Sequence, residues 1–285
     1  MNRKTGKLFY IWLPLLILFL FITGCGKKED TVSPTPAVSE NDAVLSEIPE
    51  NTPTYMAAPS PTPSSTPEIS DEYVQKTVCI DPGHQEKANN DQEPIGPGSD
   101  ITKARVSAGA TGVSTKIEEY RLTLTVSLLL KEELEKRGYE VVMTRTSNDV
   151  NISNKERAEI ATDANADVFI RIHADSATGN ASGAMTMCQS ASNPFTAYMY
   201  EDCHLLSQCI LDCFVAATDA LSRGVTETDS MSGINWSTMP VTILEMGFLS
   251  NPSDDALMSD PDYQAKMVKG IADGIDLYFM EKDNQ

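Results

Sequence analysis

Val78-Cys79-Ile80-Asp81-Pro82-Gly83-His84 is the stretch from which the fold of this 285-residue chain is read. Val74 opens a short β-prone run, and Asp81-Pro82-Gly83 stops it abruptly. Proline cannot donate to a sheet ladder, and glycine tolerates the backbone angles of a sharp exit. A histidine is thereby held at the C-terminal end of a buried strand, where open α/β sheets place their ligands. By itself, His84 is equally compatible with a histidine that only hydrogen-bonds beside a turn.

Downstream of this stretch, strand and helix signals alternate, which predicts an α/β domain. Gln85 to Glu118 reads as a long polar loop, a length that in a compact domain points to function. Glu119 to Arg137 has Leu122, Val126, Leu129, Leu130 and Leu134 at helical spacing, with Gly138 as its stop. Tyr139 to Thr144 is β-rich, and Ser153-Asn154-Lys155-Glu156 is a capping box opening a second helix. Asp167 to Ile172 is a buried strand ending at His173, and Ala184 to Cys188 is a further strand. A longer helix is predicted from about Phe195 to Leu221. Met239 to Glu245 is an apolar strand closed by Met246-Gly247-Phe248, and Asp260-Pro261 caps a last helix.

One punctuation therefore recurs. Apolar strands end in His84, His173 and Glu245, and the long loop ends in Glu119 at the mouth of a helix. In a parallel sheet these ends share one edge, so the four groups can converge. Two imidazoles and one carboxylate with a fourth position open form the ligand set of a catalytic zinc site, and a second carboxylate can take a proton from the bound water. Each residue also has a plainer reading. Glu119 could merely favour a helix start, and His173 could be a satisfied histidine. Glu245, after Pro240-Val241-Thr242-Ile243-Leu244, would be a buried carboxylate that is costly without a partner.

The chain resembles the zinc-dependent N-acetylmuramoyl-L-alanine amidases with the Amidase_3 domain, from about Val74 to Met280. The resemblance is carried by Ile80-Asp81-Pro82-Gly83-His84, Glu119-Tyr120-Arg121-Leu122-Thr123-Leu124, Val168 through His173-Ala174-Asp175, and Pro240 through Glu245 to Asn251. It implies an open, twisted, mainly parallel sheet of about six strands with helices on both faces. It further implies that His84, Glu119 and His173 bind one zinc ion per chain, that Glu245 is the catalytic glutamate, and that peptidoglycan is the substrate. Thr123, Gln85 and Asp175 depart from the usual family residues without removing a ligand or the base. Two other readings are a zinc peptidase or deacylase acting on another amide, and an inactive wall-binding lipoprotein.

Toward the N terminus, Arg3, Lys4 and Lys7 precede an apolar run from Leu8 to Ile22, and Thr23-Gly24-Cys25 ends it. This reads as a secretory signal over residues 1–24. Ile22-Thr23-Gly24-Cys25 resembles a bacterial lipobox, which implies lipidation of Cys25. Residues 25–72, rich in proline, serine and threonine, are expected to be a disordered tether, leaving residues 73–285 as the catalytic domain. The expected location is extracytoplasmic, anchored by lipid to the cell membrane and facing the wall. A formal net charge of −19 argues against nucleic acid as a partner. Beyond Cys25 stand Cys79, Cys188, Cys203, Cys209 and Cys213, an odd set with no complete disulfide framework. Cys79 reads as core. Cys209 and Cys213, four apart on a helix, read as packing rather than metal ligands, because C-x5-C-x3-C is not a common zinc spacing.

Overall fold

A computed structural model describes residues 75–285. The signal, Cys25 and the proline-rich tether lie outside the described residues.

The strands are β1 (Thr77–Pro82), β4 (Glu140–Met143), β5 (Val168–Asp175), β6 (Ala184–Cys188), β7 (Ser222–Glu227) and β8 (Val241–Phe248), and they form one sheet in the order β4-β1-β5-β8-β6-β7. The first four of these neighbours run parallel, β6 is antiparallel to β8, and β7 is parallel to β6. The expected mainly parallel, six-stranded α/β sheet is therefore observed.

Alternation along each strand decides which helices cover which face. Val78, Ile80, Val168, Ile170, Ile172 and Leu244 share a core with α1 (Glu119–Lys136), α3 (Tyr200–Thr218) and α6 (Pro261–Asp283). Cys79, Phe169, Val241 and Ile243 point the other way, onto α2 (Asn154–Asp163) and α4 (Ser232–Asn235). Helices thus lie on both faces. On the first face, Gly270 and Gly274 let α6 lie against the backbone of α3, since a Cβ at either would overlap Phe214 or Ile210. The helix starts follow the sequence signals. Ser153 and Glu156 complete a capping box, and Asp260 accepts from the amides of Asp262 and Tyr263 ahead of Pro261.

Three expectations are corrected, and two elements carried no sequence signal. Gln85 to Glu118 is not an irregular loop throughout: β2 (Asn89–Pro94) and β3 (Thr102–Val106) pair within it as an antiparallel hairpin. Their polar, mostly exposed residues leave no clear two-residue period in the sequence. β5 does not end at His173, nor β8 at Glu245. Each runs on to Asp175 or Phe248, with a register irregularity between His173 and Asp175. β7 gave no apolar signal because it is a half-exposed edge strand, and α5 (Pro252–Met258) is too short to show a period. Among the described residues no helix is long and apolar enough to cross a membrane.

Candidate active site

The turn after β1 is held from below. Arg145 donates to the carbonyls of Pro82, Gly83 and Tyr120, and Arg157 donates to those of Pro82 and His84, at 2.8–2.9 Å. Asp81, fully buried, accepts from Arg157, Arg171 and Thr144. Burial opposes its ionisation, but the two guanidiniums hold its carboxyl well below the usual carboxylate range. This frame keeps His84 at a φ of 59°, a left-handed conformation that costs a residue with a side chain on the order of 1 kcal/mol or more. Gly83 lies flat against the imidazole of His173, where an added Cβ would overlap the ring.

The mount aims His84 into the site. Its Nδ1 lies 3.0 Å from the carbonyl oxygen of Ser107, to which it donates, so Nε2 is left as a lone pair. Glu119 opens α1, and both its oxygens are engaged by backbone: Oε2 accepts from Ala110 N at 2.7 Å and Oε1 from Ala174 N at 3.1 Å. His84 Nε2 is 3.1 Å from Glu119 Oε1, His173 Nδ1 is 3.2 Å from the same oxygen, and the two ring nitrogens are 3.2 Å apart. Burial works against ionising Glu119, and the two imidazoles outweigh it, holding the carboxylate well below its ordinary range. Burial, with the charges of His84 and Arg171, pushes His173 down to about 4 despite Glu119.

These distances fit a metal. A single proton on His173 Nδ1 could bond Glu119 Oε1 or His84 Nε2 but not both, whereas a cation would bind all three atoms. Tetrahedral zinc with bonds of about 2.0–2.1 Å needs donor separations of roughly 3.3–3.4 Å. The donor set of two nitrogens and one oxygen leaves a fourth position open. Among the described residues, His84, Glu119 and His173 form the one group of this kind. Cys203, Cys209 and Cys213 form none, and Cys79, Cys188, Cys203 and Cys209 are buried with no disulfide.

Glu245 stands beside the triangle as the register partner of His173. Its Oε2 is buried without a hydrogen-bond partner among the described residues. Burial first, then the charges of Glu119 and Asp175, raises its pKa well above the ordinary carboxylate value. All four predicted residues therefore meet at one edge of the sheet.

A cavity of about 440 Å³ adjoins them, lined by Lys103 and Val106 of the hairpin, Arg171, Met231, Ile243 and Glu245 among others. The hairpin is pinned as its wall. Trp236 Nε1 donates to Pro94 O at 2.9 Å, and Arg105 O accepts from Asn154. Trp236 therefore serves the rim, with Lys155 over its ring at 4.6 Å.

Sequence reasoning missed the network of Asp81, Arg145, Arg157 and Arg171. The available signal was a carboxylate and an arginine inside apolar strands, each of which needs a buried partner. The departures from the family pattern also have places. Gln85 is buried and accepts from Ile152 N and Arg157, and Thr123 donates to Gly83 O at 2.8 Å. Asp175 accepts from Ser176 N.

The family model described as N-acetylmuramoyl-L-alanine amidase matches residues 78–277. The chain is 31% identical over 204 residues to the uncharacterized protein YqiI of Bacillus subtilis, covering 72% of this chain and 85% of that one. To the probable cell wall amidase LytH of Staphylococcus aureus it is 27% identical, and the match spans 58% of that protein's length and 72% of this chain. Its fold is similar to the crystal structure of the N-acetylmuramyl-L-alanine amidase Ami1 of Mycobacterium abscessus. The TM-score is 0.66 at 27% identity, over 72% of this chain and 98% of that one.

Proposed function

Because the chain belongs to the N-acetylmuramoyl-L-alanine amidase family, Amidase_3, we propose that it cuts the amide joining the lactyl group of N-acetylmuramic acid to L-alanine. It is an enzyme, a cell-wall amidase acting on peptidoglycan. In our reading one zinc ion is held by His84, Glu119 and His173, and Glu245 is the general base.

The observation that carries this reading is the division of labour between the two carboxylates. Both oxygens of Glu119 are engaged by backbone amides, which holds it still and supports the role of a ligand. Glu245 Oε2 has no partner, which leaves it free to move protons. Zinc, when bound, acidifies a water toward a pKa of about 7 and polarises a carbonyl. Glu245 takes the attacking water's proton and hands it to the departing amine of L-alanine, and its raised proton affinity suits both transfers. The Ser107 carbonyl keeps His84 in the tautomer whose Nε2 can coordinate.

We further propose that residues 1–24 are a lipoprotein signal and that Cys25 carries the lipid. Residues 25–72 would then tether the catalytic domain, residues 73–285, at the membrane facing the wall. The order of basic, apolar and small residues before Cys25 supports this. Metal analysis tests the site: the protein purified without chelator should carry about one zinc per chain. A metal-free protein that still cleaves would contradict it.

A further inference from the structure

Beneath the donor triangle, three guanidiniums are buried against one carboxylate. Arg145, Arg157 and Arg171 are 3%, 0% and 3% exposed, and Asp81 is 0% exposed. Arg145 and Arg157 spend their donors mainly on the backbone carbonyls of the His84 mount. Arg171 differs. Its Nε donates to Asp81 Oδ2 at 2.9 Å and its Nη2 to Asn154 Oδ1 at 2.8 Å, while Nη1 has no partner among the described residues. Arg171 lines the adjoining cavity, and Nη1 is the donor it has left to offer there. Nor can the guanidinium swing away, because Gly233 of α4 packs on it so closely that an added Cβ would overlap Nη1 and Cζ.

The hairpin wall adds a second cation. Lys103 Nζ donates to the carbonyl of Ser230 at 2.8 Å and has no carboxylate partner among the described residues. An ammonium has three donors, so two remain. In a chain of net charge −19, this cavity has two cations on its lining and one carboxylate, Glu245. A fixed guanidinium nitrogen with free N–H donors, beside an ammonium, favours a carboxylate, and a carboxamide would turn its own N–H groups toward the same donors.

We propose that this cavity is a carboxylate subsite in which Arg171 and Lys103 bind a free carboxylate borne by the stem peptide beyond the scissile amide. The enzyme thereby selects free-acid stems over their carboxamide forms. The inference rests on the amidase reading above. It makes Arg171 and Lys103 specificity residues, separate from the metal donors and from the base.

The test uses the full-length, zinc-loaded protein in detergent. It is given two soluble muropeptides that differ only in whether the stem carboxylate next to L-alanine is free or amidated. The free acid should be cleaved with a kcat/KM at least about tenfold higher, chiefly through KM. Lys103→Met should bring that ratio toward one while cleavage of the carboxamide persists, and Arg171→Met should bring it toward one whatever its effect on the overall rate. Equal kcat/KM for the two substrates with the wild-type protein overturns the subsite. Cleavage of neither, with zinc bound, overturns the amidase reading instead. A ratio unchanged in Arg171→Met together with a displaced acid limb of the pH profile would mean that Arg171 acts on Glu245, which also overturns the subsite. Should Arg171→Met fail to fold, the exposed Lys103 and the wild-type comparison carry the decision.

Discussion

His173 and Glu245 are register partners on β5 and β8, neighbouring parallel strands of the central sheet. Partners in a parallel pair project to the same face, so one ladder step sets an imidazole and a carboxylate side by side. Neither depends on a loop for its position. The proposed base is thereby set on a rigid element one strand away from a proposed ligand.

If Glu245 moves the proton, Glu245→Gln should lower kcat by about 10²–10⁴-fold, the usual contribution of a positioned general base. Its zinc content should stay at that of the wild type, because Glu245 is outside the donor triangle. Turnover of a muropeptide and metal analysis on the same preparation check both halves.

Metal removal should be visible in stability as well as in activity. A ligand that binds only the folded chain stabilises it by mass action, by roughly 4 kcal/mol at a thousandfold excess over its dissociation constant. Chelator should therefore lower the Tm of the wild-type protein. In His84→Ala or His173→Ala, which lack a donor, chelator should leave the Tm unchanged.

Asp81 anchors the frame beneath the site, and its loss should be felt in folding. Asp81→Asn leaves Arg171 and Arg157 without their buried counter-charge and should cost about 3–5 kcal/mol. The pH dependence has a definite sign. The folded pKa of Asp81 lies below its unfolded value, so its stabilisation is complete above about pH 4 and is lost as pH falls toward the folded pKa. Denaturant titrations below pH 4 should show a steeper loss of stability in wild type than in Asp81→Asn.

Anchoring can be tested apart from catalysis. Cys25→Ala in the producing cell should move the protein from the membrane pellet to soluble or released fractions. Activity per molecule on soluble muropeptides should be unchanged. Immunoblots of fractionated cells read the first outcome.

Much of the site was legible in the sequence because it is written at element boundaries. Asp81-Pro82-Gly83 stops a strand, Glu119 opens a helix, and both β5 and β8 carry a polar residue after an apolar run. The sheet and its long helices were legible for a related reason, since buried strands and two-sided helices leave apolar patterns. The hairpin β2–β3 and edge strand β7 were not, because exposed residues need no such pattern. The buried arginines were missed because their partners are mainly backbone carbonyls and side chains distant in sequence, Asp81 among them. Arg157 reaches Asp81 across 76 residues. Only the packed chain shows that the first histidine is held by guanidiniums as well as by proline and glycine.

The central claim is the identity of the bond cut, and the masses of products released from purified peptidoglycan test it most directly. With zinc bound, the protein should release intact stem peptides beginning in a free L-alanine amine and leave the glycan strands uncut, and chelator should stop the release. Products cut within the peptide or within the glycan would contradict the account.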